Sequence, residues 1–356
     1  MKILHIAYFG RQGTITGIVE SVMNISQKQR EIGHDVIVMI PFNHPLVDNK
    51  NVFYSCSFWQ AIARIKGFSP HIVVFDGFYD KYQIRFSWYL KWCGIPYVVV
   101  FHGGASADNM KKNWLKKRIA NCLFFNRFVK WAKSVIYLSE NEKNKSVFSK
   151  INPNYNIIPN GVNIPININP KEAKSDKISF LYLSRLDWHG KGLDVFCDAL
   201  KLLFDAGYES KVCFEFYGTK ESIETEKLFQ FGNMTKYEGY VTGKEKEAAY
   251  RNADIFILPS RSEGMPMVVL EALSFGLPCI VTPETNMATL IEENKCGWVV
   301  NLSPQDVSNI IKEAAEDYLI NQDNYYYNSV KAAQLFDWSI IAEKSISVYK
   351  RILNYE

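Results

Sequence analysis

The residues of this chain that could do chemistry fall into three groups. Glu263 and Glu271 bracket an apolar segment, EGMPMVVLE, in which no other side chain ionises. A helix starting near Met267 offers free N–H groups and the positive end of its dipole. Helical side chains lean toward the N-terminus, so Glu271 leans toward the loop that carries Glu263. This combination suits a ligand with phosphate at one end and hydroxyls at the other: the N–H groups hold the anion and each carboxylate accepts from hydroxyls. The competing structural reading is a capping Glu263 and a salt-bridged Glu271. Arg185 and Lys191 lie in SRLDWHGKGLD, between a strand and a helix, with glycines at 190 and 192. Two cations fixed there meet the charge of a diphosphate leaving group, Arg as a fork and Lys as a point charge; otherwise they are two solvated loop cations. His102 ends the run YVVVF and precedes Gly103-Gly104, which let a ligand approach closely. Site residues of open α/β sheets gather at such strand ends; the alternative is a histidine satisfied by backbone carbonyls. His189, in the Arg185 loop, is the second histidine of interest.

The elements around these residues are legible. Pro259–Thr282 reads as loop, helix, turn and strand, with Pro266 at the first helical position, Gly276 just past the helix end and Pro278 blocking continuation. Ile178–Leu183, Lys211–Tyr217 and Asp254–Pro259 read as strands. Earlier, Lys2–Phe9 reads as a strand, followed by a glycine-spaced loop (Gly10, Gly13, Gly17) and a helix from about Ile18 to Glu31. HIVVFD, YVVVF and SVIYL are further strands between helical patterns. Such alternation predicts parallel, doubly wound α/β sheets. At 356 residues with 47% hydrophobic content, the chain accommodates two domains. A polar, proline-punctuated stretch near 163–176 marks the boundary.

The segment EGMPMVVLE, with its flanks SRSEG and LEALSFGLPCIVT, resembles the E-x7-E motif of glycosyltransferase family 4, the retaining nucleotide-sugar transferases. Pro159-Asn160-Gly161-Val162 resembles that family's interdomain signature. The resemblance implies the GT-B architecture: two Rossmann-like doubly wound domains facing across a cleft, with an acceptor domain at 1–165, a donor domain at 166–335 and a last helix at 336–356 crossing back. It implies donor contacts from Gly17, Arg185, Lys191, Val241, Glu263, Gly264, Met265, Met267, Val268 and Glu271. Arg185 and Lys191 would stabilise the diphosphate, Glu271 hold the ribose and Glu263 orient the sugar. His102 would lie near the transferred sugar, and Gly13, Glu20 and His102 would meet the acceptor. The family usually shows two adjacent glycines where this chain has Thr16-Gly17.

Composition narrows the remaining choices. A net charge of +4 is too small to argue for nucleic acid, and no such partner is expected. Seven scattered cysteines without a C-x-x-C pair fit buried free thiols in a reducing cytoplasm. MKILHIAYFG reads as a strand rather than a signal segment, and no apolar run approaches the roughly 18 residues of a transmembrane helix. No D-x-D, H-x-x-x-H or Cys/His cluster occurs, so neither metal nor cofactor is expected. Residues 109–133 are basic and aromatic without one acidic side chain. They read either as a helix lying on an anionic bilayer or as a core helix with a solvated basic face. The expectation is a retaining transferase moving a hexose or N-acetylhexosamine from a nucleotide-sugar, such as a UDP-sugar, to a glycan or lipid-linked acceptor. Its place is the cytoplasm or the inner membrane face. A sugar-nucleotide epimerase and a non-catalytic nucleotide-sugar-binding protein are the alternatives.

Overall fold

The computed structural model describes residues 1–7, 17–40, 51–54, 57–105, 114–166, 168–170 and 177–355. It divides into two compact units, Met1–Gly161 with Trp338–Glu356, and Val162–Asp337.

The first unit is built on strands β1 (Lys2–Ala7), β2 (Asp35–Ile40), β3 (Val52–Tyr54), β4 (Ile72–Asp76), β5 (Tyr97–Val100), β6 (Ser134–Tyr137) and β7 (Tyr155–Ile157). Among the described residues they form one parallel sheet in the order β3-β2-β1-β4-β5-β6-β7. Its helices are α1 (Gly17–Glu31), α2 (Phe58–Phe68), α3 (Lys81–Trp92), α4 (Trp114–Ala120), α5 (Asn126–Trp131) and α6 (Glu140–Lys145). β4 and β5 bury every residue, as strands covered on both faces must. Alternate residues feed two cores. Leu4, Ile6, Val73, Phe75 and Val99 pack with Ile65 of α2 and Phe86 and Leu90 of α3. Ala7, Val38 and Ile40 pack with Val19 and Val22 of α1 on the other face.

The second unit repeats the plan with β8 (Ile178–Leu183), β9 (Val212–Tyr217), β10 (Thr235–Gly239), β11 (Ile255–Leu258), β12 (Cys279–Val281) and β13 (Gly297–Val299). Among the described residues their order is β10-β9-β8-β11-β12-β13, again parallel throughout. Its helices are α7 (Leu193–Asp205), α8 (Gly243–Asn252), α9 (Met267–Ser274), α10 (Ala288–Asn294) and α11 (Pro304–Gln334). The final helix, α12 (Trp338–Leu353), belongs to the first unit, where it packs on α1. Trp338 explains the glycine of the Asn160-Gly161 pair, because a Cβ at Gly161 would stand 2.4 Å from the indole ring.

Three local readings are corrected. Pro266 caps α9 in an extended conformation (φ −72°, ψ 117°), and the helix begins one residue later, at Met267. The basic segment is not one uniform helix: α4 and α5 are joined by a π-helical turn at Asn121–Phe125. That turn shifts the helical face, so Phe125, Phe128 and Val129 enter the core while Trp114, Leu115, Ile119, Leu123 and Phe124 stay exposed. Cys93 and Cys122 are exposed thiols, whereas Cys197, Cys279 and Cys296 are buried. Among the described residues no helix is long and apolar enough to cross a membrane.

Candidate functional site

In each sheet the strand order reverses at one place, between β1 and β4 in the first and between β8 and β11 in the second. Ligands of open α/β sheets bind outside the carboxyl ends of the strands at such switch points. The two loops singled out from the sequence of the second unit leave β8 and β11.

The β8 loop turns tightly into α7. Gly192 has φ +69°, and a Cβ there would stand 1.9 Å from the Pro259 carbonyl oxygen, so only glycine lets the β8 loop lie against the β11 loop. This approach brings Lys191 to Glu263: Lys191 Nζ donates to Glu263 Oε1 at 2.5 Å, with both side chains about one-seventh exposed (13% and 14%). Ser260 Oγ donates to the same oxygen at 2.7 Å. Asn286 Nδ2 donates to the carbonyls of Glu263 (2.6 Å) and Gly264 (2.8 Å), fixing the turn before α9. The carboxylate thus keeps Oε2 without a donor among the described residues. The Met267 and Val268 amides at the start of α9 likewise meet no acceptor among the described residues, since the first amides of a helix have no intrahelical partner. Met265 and Met267 are buried, and Gly264 and Val268 are half-buried beside them.

Glu271 sits in the second turn of α9, and α8 engages it: Lys246 Nζ donates to Oε1 at 2.6 Å and Tyr250 Oη to Oε2 at 2.7 Å. The salt-bridged state is therefore real, and it holds the carboxylate in a fixed position. Arg185, 61% exposed, pairs with Glu221 at 2.5 Å. Val241 lies in the turn between β10 and α8, half-buried beside the exposed Tyr240. His189 is exposed and reaches Asp194 at 3.3 Å.

Several residues of this site were not singled out from the sequence. Arg261 binds Asp194 through both terminal nitrogens (2.5 and 2.9 Å) and donates to the His189 carbonyl at 2.6 Å, clamping the β8 loop to the β11 loop. Burial pushes the Asp194 carboxyl up, but Arg261, the Val195 amide and His189 together outweigh it and hold the group below its ordinary value. Lys246 and Tyr250 are four apart, a spacing that puts both on one helical face. Burial, followed by the charges of Glu263 and Asp187, raises the Tyr182 hydroxyl well above the usual tyrosine range.

In the first unit, His102 follows β5 with φ +47°, a left-handed conformation uncommon for a residue with a side chain. Its ring is 6% exposed and its Nε2 meets Asp76 Oδ1 at 3.2 Å. The partner is a carboxylate rather than backbone carbonyls. Asp76 Oδ2 meets His5 Nδ1 at 2.7 Å, and Gly103 N–H donates to Glu142 Oε1 at 2.6 Å. Burial raises the Glu142 carboxyl above its ordinary value, and the amides of Leu138 and Gly103 counter only part of that rise. Gly17 opens α1, and a Cβ there would meet nothing within 4 Å among the described residues. Glu20 lies in the first turn of α1. Gly13 lies outside the described residues.

Two family models match this chain: "Glycosyltransferase Family 4" over residues 15–164 and "Glycosyl transferases group 1" over residues 177–317. The uncharacterized glycosyltransferase MJ1607 of Methanocaldococcus jannaschii is 23% identical over 282 residues, 72% of this chain and 70% of that protein. The N,N'-diacetylbacillosaminyl-diphospho-undecaprenol alpha-1,3-N-acetylgalactosaminyltransferase of Campylobacter jejuni is 26% identical over 281 residues, 74% of this chain and 73% of the relative. Among solved structures, Anabaena HepE in complex with UDP superposes with a TM-score of 0.76 at 18% identity, over 99% of this chain and 100% of HepE.

Proposed function

The chain belongs to the group 1 glycosyltransferases of family 4, with the GT-B fold, and on that premise we propose that it moves a hexose or N-acetylhexosamine from a UDP-sugar to a hydroxyl of a glycan or lipid-linked acceptor. The product would serve bacterial surface polysaccharide. The observation that carries this reading is the Lys191–Glu263 pair at the switch point of the second sheet, set just ahead of two helix-start amides that meet no acceptor among the described residues. An ammonium and free amides are suited to a diphosphate, and a carboxylate with one oxygen unclaimed is suited to a sugar hydroxyl.

The chemistry follows from where charge appears. As the bond from the sugar's anomeric carbon to the diphosphate breaks, negative charge grows on the departing phosphate. Lys191, Arg185 and the first amides of α9 meet that charge, Lys191 exchanging Glu263 for the phosphate. A charged hydrogen bond contributes about 1.5–3 kcal/mol. Realised only in the transition state, that is roughly a 10- to 150-fold gain in rate. Ser260 keeps Glu263 oriented while its Oε2 accepts from a sugar hydroxyl. Glu271, fixed by Lys246 and Tyr250, accepts from the ribose hydroxyls with its remaining lone pairs. The acceptor oxygen attacks on the face the nucleotide leaves, and a donor phosphate oxygen takes its proton, so the anomeric configuration is retained. His102 contacts the sugar or acceptor near the reacting carbon. Protein groups alone neutralise the diphosphate in this scheme, and no metal enters it.

Three further points support the reading. HepE has been solved with UDP and with UDP-glucose, and the name of the Campylobacter transferase specifies a diphospho-undecaprenol acceptor. The exposed Trp114, Leu115, Ile119, Leu123 and Phe124 lie among Lys116, Lys117 and Arg118, a composition suited to the surface of an anionic membrane. We accordingly place the enzyme peripherally on the inner face of the cytoplasmic membrane. The test is nucleoside diphosphate release from a panel of UDP-, GDP- and ADP-sugars, with and without bacterial lipid extract. Release from a UDP-sugar, boosted by lipid, is expected; no release from any donor, and no thermal shift on adding them, would sink the proposal.

A further inference from the structure

We propose that Asp76 is a positioning residue for His102: its buried carboxylate, backed by His5, takes the Nε2–H of the His102 ring and leaves Nδ1 as that ring's only acceptor. The proposal rests on the reading above, in which His102 works beside the reacting sugar, and it concerns how that ring is set.

The arrangement is built by the sheet. His5 of β1 stands opposite Val74 of β4, so Asp76, two residues on, lies on the same face one diagonal step away. Asp76 stands opposite Val100 of β5, and His102, two residues beyond Val100, repeats the step. The three side chains thus climb across adjacent strands at the switch point of the first sheet, on the face that α1 and α12 cover. The chain continues away from His102: His5 Nε2 meets Gln29 Oε1 at 2.9 Å, Gln29 Nε2 donates to Ser345 Oγ at 3.0 Å, and Ser345 Oγ donates to the Ala342 carbonyl at 2.6 Å. Asp76, 3% exposed, is therefore braced from α12 through His5 and Gln29.

The donor count then sets the tautomer. An ionised carboxylate accepts only, so a ring nitrogen bonded to it must carry a proton; in a neutral imidazole the other nitrogen is then the acceptor. Burial alone would push the Asp76 carboxyl up, but His5 and His102 outweigh it and hold the group below its ordinary value. Asp76 therefore stays a carboxylate. From the other side, Glu142 binds the Gly103 amide and fixes the left-handed turn that aims the ring. While its ring is neutral, a His102 set this way receives a hydrogen bond from a hydroxyl and offers none to an anion. It selects for a sugar or acceptor hydroxyl at its Nδ1 and against phosphate.

Long-range proton–nitrogen NMR on the full chain with 15N-labelled histidine reads this directly, His102→Gln identifying the ring by loss of its signals. In the unsubstituted protein, at a pH where the ring is neutral, His102 should show a protonated Nε2 and a bare Nδ1. Asp76→Asn can accept from one histidine but not both, so it should mix or reverse the His102 tautomer. It should also lower kcat about ten- to a hundredfold, the size of loss seen when the partner orienting a metal-bound histidine is removed. The KM for donor should change less than kcat, because the groups given to the diphosphate and ribose, Lys191, Arg185, Glu271 and the first amides of α9, belong to the second unit. A proton on Nδ1 and none on Nε2 of the neutral ring in the unsubstituted protein, or unchanged ring signals in Asp76→Asn, would overturn the proposal, and the first of these needs no variant to fold. His102→Ala separates the two ideas. If it turns over normally, the role given to His102 fails while the NMR result still decides about Asp76. If it is impaired and Asp76→Asn is not, the positioning role fails.

Discussion

In the second unit the charges at the switch point can change partners: Arg185 is 61% exposed on Glu221, and Lys191 and Glu263 hold each other at the strand ends. In the first unit the corresponding strand ends carry a polar chain, His5, Asp76 and His102, whose side chains are at most 6% exposed. Both sets of contacts are short, yet they serve different ends. The largely exposed Arg185–Glu221 pair gains little from its partner and is easily exchanged, whereas the mostly buried Lys191 and Glu263 would part only for a ligand that replaces each partner. A buried, fully bonded chain does not rearrange without leaving an unpaired polar group, at a cost of about 1–3 kcal/mol. The second unit is therefore suited to binding and releasing a charged molecule, and the first to holding one side chain in one state.

The largest expected effect strikes the exchangeable side. Lys191→Ala should cut turnover by one to three orders of magnitude, roughly what removing a preorganised transition-state contact costs. Initial-rate measurement of nucleotide release checks it, and near-normal turnover would erase the functional half of the contrast. A middle-sized effect belongs to the sealed side. Asp76 has a folded-state pKa below its ordinary 3.8, so its contribution to stability is complete above that value. It is lost as pH falls through the folded value, because the unfolded chain takes up the proton first. Denaturant titrations at pH 6 and pH 3 should show the unsubstituted protein losing more stability than Asp76→Asn over that interval; equal losses would contradict the sign. The smallest effect sharpens the comparison. Glu221→Gln removes the partner of a largely exposed arginine and should change stability by less than about 1 kcal/mol. Donor binding should be unweakened, as calorimetry with UDP would read.

How much of this was legible varied with the kind of signal. Strand runs such as HIVVFD and DIFILP, and the stop at Gly276 and Pro278, are local, and both sheets follow from them. Gly276 indeed ends α9, its N–H bonded to the Leu273 carbonyl and that of Leu277 to the Ala272 carbonyl. Glu263, Glu271 and Lys191 were found because their types were unusual in an apolar or glycine-rich setting. Their partners were not, since nothing local says that α8 will lay Lys246 and Tyr250 against α9, or that Arg261 will reach Asp194 across 67 positions. Asp76 and His5 gave a signal that went unused: an ionisable residue inside or at the end of a fully apolar strand must find a buried partner. The π-helical turn at Asn121–Phe125 left no trace in the pattern of basic and aromatic residues.

That the last helix belongs to the first unit shapes how the chain can fold as it is made. Residues Val162–Asp337 form an uninterrupted stretch and can close as soon as they have been synthesised. The face of the first sheet that carries His5 and Asp76 cannot, because the bond from Gln29 to Ser345 joins positions 316 residues apart. Loops of that length are slow to close. The order of maturation therefore runs against the order of synthesis: the second unit is finished first, and the first becomes complete only when the C-terminal helix arrives.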